Sequence, residues 1–336
     1  MANIKDVAAR AGVSVTTVSH VVNGTRFVSE AARERVEEAV SALGYVPSAV
    51  ARSLKHNVTH TFGVVIPNNS NPYFAEIIRG LEGRCFAAGY NLILCNSNDD
   101  ADRQASYFRT LTEKRIDGLI VVASGSDVVV RQSIGELKIP LVLVDREVSG
   151  VECDLVEVDN ITGGHLATQH LLELGHPYVY CISGPAGLSP STQRRAGWKR
   201  ALAQAGLARK EGDLERGDFS SRSGYQAMQA LLKRHPRPSA VFVCNDLMAI
   251  GAMAAAREAG LSVPGDISIV GYDDIELAAY STPPLTTVVQ PKVKIGELAA
   301  ELLFERMDGT RSTVRRVILD PRLKVRGSTA PYTQSA

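Results

Sequence analysis

Five short segments set aromatic rings or polar side chains that can hold two neighbouring hydroxyl groups side by side: Asn71-Pro72-Tyr73-Phe74, Asp145-Arg146, Phe219, Asn245-Asp246 and Gly271-Tyr272-Asp273. A carboxylate accepts through two oxygens, a guanidinium donates through a fork, and a carboxamide does both. An aromatic face covers the apolar side of a pyranose, so the combination reads as a monosaccharide-type site. Catalysis by Asp145, Arg146 and Asp273 is the competing reading. No nucleophile–base pair, metal set or cofactor loop accompanies them, which argues against an enzyme.

The elements around these segments explain why they should meet. Short apolar runs at 62–66, 91–95, 119–122 and 141–144 alternate with helical stretches over 73–88, 103–114 and 128–137. A second series follows, with strands at 178–182, 217–219, 240–243 and 267–270 and helices over 164–174, 194–205, 223–232 and 249–259. Such alternation specifies doubly wound parallel sheets. Open sheets of this kind take ligands at the carboxyl ends of their strands, where the segments above fall. The expected organisation is α/β: residues 1–46 a helix-turn-helix headpiece, 47–60 a hinge helix and linker, and two doubly wound subdomains. One comprises 61–160 plus 291–320, the other 161–290 plus 321–330, so three crossovers form a hinge for closure. Residues beyond Arg326 read as disordered. Thr162-Gly163-Gly164-His165 opens a helix but lacks a Walker lysine, so it reads as close helix–strand packing.

At the N-terminus, helices over 4–11 and 14–23 flank Gly12, and a third over 31–43 ends at Gly44. That is the smallest package that can present one helix to a major groove. The net charge is only +1, so a nucleic-acid reader depends on a local face, for which Lys5, Arg10, Arg26, Arg52 and Lys55 are available. Cys85, Cys95, Cys153, Cys181 and Cys244 are scattered and form no Cys-x-x-Cys pair, which suits reduced thiols and no metal site. The first seven residues lack the apolar core of a signal peptide, and no run is long enough to span a bilayer. A cytoplasmic location and no membrane partner are therefore expected.

The wording of the first sixty residues is more specific than its pattern. Lys5-Asp6-Val7-Ala8-Ala9-Arg10-Ala11-Gly12-Val13-Ser14, Thr17-Val18-Ser19-His20-Val21-Val22-Asn23, Phe27-Val28-Ser29, Leu43-Gly44-Tyr45-Val46-Pro47 and Ala51-Arg52-Ser53-Leu54 occur in order. Together they resemble the headpiece and hinge of the LacI/GalR family of bacterial repressors. The resemblance implies that Val15 and Thr16 open the recognition helix and face base edges, with His20 one turn further on and Arg26 beside it. Thr17 is expected as a phosphate contact or a structural cap. Thr16 offers a methyl to thymine or a hydroxyl to a base, and His20 can donate to a purine acceptor. An ordinary exposed histidine is the alternative for His20; the surrounding motif favours DNA. The hinge at 47–55 is too short to hold a helix alone and is expected to order on DNA. There the resemblance makes Leu54 a minor-groove wedge, with Arg52 and Lys55 holding neighbouring atoms. Two headpieces on two half-sites imply a homodimer and a near-palindromic operator.

The body is similar to the periplasmic sugar-binding-protein fold, nearest to ribose-binding members. Matching those motifs in order selects Asn71, Tyr73, Phe74, Asp145, Arg146, Arg194, Phe219, Asn245, Tyr272, Asp273 and Gln290. Singly, each has a structural reading: Tyr73 and Phe74 as a helix start, Gln290 as a cap, Arg194 as a surface ion pair. Their joint occurrence carries the site. Tyr73 and Tyr272 stand where ribose-binding relatives carry phenylalanine, so the added hydroxyls bear on ligand preference. The resemblance implies a repressor of a sugar (ribose) catabolic operon, released from its operator when D-ribose enters the cleft, and no cofactor. The headpiece also resembles that of purine repressors, which makes a purine corepressor the alternative.

Overall fold

The computed structural model describes residues 2–46, 58–207, 212–234 and 237–333. The chain divides into two compact units, Met1–Thr59 and His60–Ala336.

In the first unit, α1 (Ile4–Ala11) starts with a reciprocal cap. Asn3 Oδ1 accepts from the amides of Lys5 and Asp6, and Asp6 Oδ2 accepts from the Asn3 amide. Gly12 ends the helix at φ 63°, a left-handed conformation glycine adopts without penalty. Ser14 Oγ then caps α2 (Val15–Asn23) by accepting from the Thr17 amide. Helix α3 (Glu30–Leu43) closes a small core of Val7, Ala8, Ala11, Val18, Val36 and Ala39. The hinge expected at 47–55, with Arg52, Leu54 and Lys55, lies outside the described residues.

The second unit contains two six-stranded sheets. The first uses β1 (Thr61–Ile66), β2 (Asn91–Asn96), β3 (Gly118–Val121), β4 (Leu141–Val144) and β5 (Asp154–Val158), interleaved with α4 (Pro72–Ala87), α5 (Ala101–Glu113) and α6 (Asp127–Gly135). The second uses β6 (Tyr180–Ser183), β7 (Leu214–Arg216), β8 (Ala240–Val243), β9 (Ser268–Asp273) and β10 (Thr286–Val289). Its helices are α7 (Asn160–Glu173), α8 (Ser189–Gln204), α9 (Ser221–Leu231), α10 (Asp246–Glu258) and the short α11 (Glu276–Tyr280). The chain then supplies α12 (Lys292–Met307) and β11 (Arg316–Leu319) to the first layer, and β12 (Arg322–Lys324) to the second. Strand order is β11-β5-β4-β3-β1-β2 in one sheet and β12-β10-β9-β8-β6-β7 in the other, parallel except where β12 meets β10. Chain passages after β5, β10 and β11 link the layers.

Three local expectations are revised. Strand β5 did not read as a strand because Asp154 and Glu157 interrupt its apolar pattern. Both are buried, and arginines more than a hundred residues away neutralise them: Arg306 and Arg311 on Asp154, Arg316 on Glu157. The strand expected at 217–219 lies at Leu214–Arg216, and Gly217 and Phe219 belong to the turn beyond it. Residues after Arg326 are ordered through Tyr332: Ser328 is fully buried on the Ile269 carbonyl, and the Tyr332 amide donates to Leu174 O. Gly163 and Gly164 do serve close packing, but against two partners. A Cβ on Gly163 would strike the Tyr272 ring, and one on Gly164 would lie 2.1 Å from the carbonyl of Arg194 on α8. This glycine contact seats α8 deeply enough for Arg194 to reach the ends of the strands.

Candidate ligand cleft and nucleic-acid interface

The expected ligand residues lie at the carboxyl ends of the strands or at the helix starts behind them. Asn71 caps α4 by accepting from the Tyr73 amide, which fixes Tyr73 and Phe74 at the helix mouth with their rings edge to face. Tyr73 Oη donates to Asp145 Oδ1 at 2.5 Å and lies 3.2 Å from Gln290 Oε1. Burial, with Asp145 adding to it, raises the Tyr73 hydroxyl well above its ordinary range, so it remains a donor. Gln290 Nε2 in turn donates to Asp273 Oδ1 at 2.7 Å. Arg194 stands 3.6 Å from that same oxygen, donates through Nε to Asn160 Oδ1 at 2.8 Å and through Nη1 to Cys244 O at 2.7 Å. Its guanidinium lies 3.8 Å over the Tyr272 ring, a cation–π stack. A continuous chain Asp145–Tyr73–Gln290–Asp273–Arg194–Asn160 thus runs from one subdomain to the other.

The backbone of the site is unusual. Asp145 and Phe219 both have φ 71°, Asp273 has φ 111° and Asp274 φ 51°. Non-glycine residues enter this region at a cost that surrounding contacts must hold down. For Asp273 and Asp274 those contacts come from Lys292. This buried lysine donates to both carbonyls at 2.6 Å and pairs with Glu76 at 3.5 Å. Burial raises the Asp273 carboxyl to about 6, against the pull of Arg194, Gln290 and Lys292. Asp246, fully buried between the Thr287 hydroxyl and the Ile275 amide, is likewise raised by burial and by Asp273. It anchors the loop, as its place behind Asn245 suggests. Asn245 caps α10 and donates to the Phe219 carbonyl, so it shapes the turn that carries Phe219.

Arg146 differs from expectation in its partners. Its Nη1 donates to Ala123 O and Gly125 O, and Nη2 pairs with Asp127 at the start of α6, so most of the fork is spent within its own subdomain. Its Nε is buried with no partner among the described residues. Tyr272 is fully buried beneath Arg194, and its hydroxyl faces Gly163. Sequence reasoning missed Asn160 and Lys292. A lysine at the positive end of a helix, where α12 begins, is the signal that was available for the second.

In the headpiece unit, Val15 and Thr16 are exposed at the start of α2, and Arg26 is exposed beyond it. Val15 shares the helical spacing of the core valines yet is 42% exposed. Thr17 Oγ1 lies 2.9 Å from Ser14 Oγ and so belongs to the cap. His20 Nδ1 lies 2.8 Å from Thr25 Oγ1, which orients the ring and leaves Nε2 to face outward partners.

Among the described residues no group of histidine, cysteine and carboxylate side chains could hold a metal ion, and no helix is long and apolar enough to cross a membrane. A helix-turn-helix unit joined to a two-layer α/β body with polar and aromatic residues at facing strand ends defines a ligand-responsive DNA-binding regulator. Residues 3–48 match the family of bacterial regulatory proteins, lacI family, and residues 168–329 match the periplasmic binding protein-like domain. The chain is 44% identical to the ribose operon repressor of Escherichia coli K12 over 98% of its length and 100% of that protein's. It is 45% identical to the HTH-type transcriptional repressor PurR of Erwinia tasmaniensis, over 99% of this chain and 98% of the relative. It superposes on the Lac repressor dimer bound to operator and the anti-inducer ONPF with a TM-score of 0.88 at 30% identity, covering 98% of this chain and 99% of that one. A LacI family regulator from Enterococcus faecium with bound ribose matches 81% of this chain and 100% of its own, with a TM-score of 0.73 and 32% identity. The chain belongs to the LacI family and is a DNA-binding transcriptional repressor, not an enzyme.

Proposed function

We propose that this repressor responds to a pentose, D-ribose foremost, and that sugar binding in the cleft releases a homodimer from a near-palindromic operator of a sugar catabolic operon. The observation that carries this reading is the chain Asp145–Tyr73–Gln290–Asp273–Arg194, in which carboxylates, a carboxamide and a guanidinium that can each pair through two atoms are linked by the single hydroxyl of Tyr73. A ring dense in hydroxyls exchanges bond for bond with such a row. The ribose bound to the Enterococcus faecium relative and the name of the Escherichia coli relative support it.

In this mechanism the sugar draws the two subdomains together and changes the spacing that paired hinge segments require on DNA. It acts only through different affinity for the two conformers, and a hundredfold preference amounts to about 2.7 kcal/mol. Leu54 then leaves the minor groove and operator affinity falls. Val15, Thr16 and His20 are the proposed major-groove readers, Arg26 a phosphate contact beside them, Thr17 a cap that also approaches phosphate, and Arg52 and Lys55 the hinge cations. The protein is expected to work in the cytoplasm, where its operator is.

A purine corepressor is the second reading. The relatives named PurR are as similar as the ribose repressors, and the edge-to-face pair Tyr73–Phe74 offers a flat ligand an aromatic wall. Calorimetry with ribose and with hypoxanthine separates the two. Ribose binding with no heat from hypoxanthine supports the pentose; the reverse result replaces it with the purine.

A further inference from the structure

The carboxyl end of β6 and the start of α8 hold a polar group that the chain described above does not use. Ser191 is 4% exposed, and its hydroxyl has no hydrogen-bond partner among the described residues. Such a group costs roughly 1–3 kcal/mol to bury unpaired, so its place calls for an explanation. Its surroundings point to the cleft. A Cβ built on Gly184, the residue after β6, would lie 2.6 Å from Ser191 Oγ and 2.3 Å from the Phe219 ring, so hydroxyl and ring share one small space. Ser191 precedes Arg194 by three residues and shares its helix face. Ser189, two residues earlier, extends its hydroxyl to the carbonyl of Glu147 at 3.5 Å, which sets this helix start against the Asp145–Arg146 loop of the other subdomain. Leu188 occupies the cap position of α8 and supplies no side-chain acceptor.

We infer that Ser191 is an effector-contacting residue, its hydroxyl pairing with an oxygen of the ligand whose apolar face rests on Phe219. An oxygen atom placed there satisfies the serine and lies at the uncapped, electropositive start of α8. The inference rests on the proposed effector reading for the identity of the ligand, but the role of the residue is tested separately.

The test compares wild type, Ser191→Ala and the near-isosteric, weaker donor Ser191→Cys in the full-length protein. Ribose and hypoxanthine affinities are measured by calorimetry, and melting temperature without added ligand is measured in parallel. One lost hydrogen bond to a neutral group weakens binding roughly threefold to tenfold. The expected result is that loss for Ser191→Ala, a smaller one for Ser191→Cys, and an unchanged or higher melting temperature for the alanine variant, because an unpaired buried hydroxyl has been removed. A merely structural serine gives the opposite pattern: altered melting with unchanged affinity, which overturns the inference. Should wild type bind hypoxanthine and not ribose, the pentose reading fails, and the loss of hypoxanthine affinity in Ser191→Ala decides the serine's role by itself. Wild type that binds neither overturns both.

Discussion

Tyr73 Oη donates to Asp145 Oδ1 at 2.5 Å, so a phenol from the start of α4 occupies one oxygen of the carboxylate that ends β4. A ligand hydroxyl must use the other oxygen or displace the phenol. Tyr73→Phe removes a donor from this half-buried carboxylate, which lowers stability by about 1 kcal/mol. Added ribose then restores what the phenol supplied. The melting temperature of the variant should lie below wild type in buffer, with a larger ribose-induced rise. Equal rises in both proteins would remove Asp145 from the sugar site.

Arg194 uses the breadth of its side chain: Nε on Asn160, Nη1 on Cys244 O and near Asp273, and the plane of the group on Tyr272. An ammonium is a point charge and cannot reproduce that fork and stack. Arg194→Lys should weaken effector binding roughly a hundredfold, within the 2–5 kcal/mol typical for a disturbed buried charge pair. Circular dichroism checks that the variant is folded, and calorimetry reads the affinity. Binding within threefold of wild type would place Arg194 outside the site.

Asp273 supplies a pH test. Its carboxyl rises from 3.8 to about 6, first through burial. An ionised Asp273 accepts from ligand hydroxyls, so effector affinity should fall as pH drops through 6, and Asp273→Asn should abolish that dependence. The effect on stability has the opposite sense. A raised acid takes up a proton on folding, so its contribution favours the fold increasingly as pH falls from about 6 toward 3.8. Binding titrations from pH 5 to pH 8 read the first effect and thermal melts the second.

Asp154 behaves inversely. It is fully buried and accepts from Arg306 Nε at 2.8 Å, Arg311 Nη2 at 2.7 Å and the Arg315 amide at 2.7 Å. Burial opposes its charge, but the hydrogen bonds from Arg311 and Arg306 outweigh it and bring the carboxyl down to about 2. Its contribution, about 2 kcal/mol, is present above the unfolded value and is lost as pH falls from 3.8 toward 2. Asp154→Asn should lower the melting temperature at neutral pH and flatten its decline below pH 4, as followed by scanning calorimetry.

In the headpiece, Thr16 and Arg26 should separate by kind of effect. Thr16→Ala should change the preferred base at one operator position, by about 1–3 kcal/mol. Arg26→Ala should weaken every duplex alike and reduce the salt slope by about one. Binding to a set of single-base operator variants at two salt concentrations distinguishes these outcomes.

The sequence disclosed the parts whose pattern is local. The glycine stops at Gly12 and Gly44 and the apolar strand runs depend on neighbours in sequence, and they were readable as such. Tyr73, Asp145, Asp273 and Gln290 were nameable as a set, and the structure brings them into one hydrogen-bonded row. What stayed hidden depends on distant partners. Strand β5 carries acids that only Arg306, Arg311 and Arg316 make tolerable, and the tail beyond Arg326 is ordered by Leu174 and Ile269. Arg146 was nameable from sequence, but its partners Ala123, Gly125 and Asp127 were not. Lys292 and Asn160 hold Asp273 and Arg194 from behind, roles without any motif.

The most direct measurement is operator binding followed by fluorescence anisotropy while ribose is added to the full-length protein. The account predicts release, with half-release at a ribose concentration that Asp145→Ala raises at least tenfold. Operator binding that stays constant in saturating ribose, or that strengthens on addition of hypoxanthine, would contradict it.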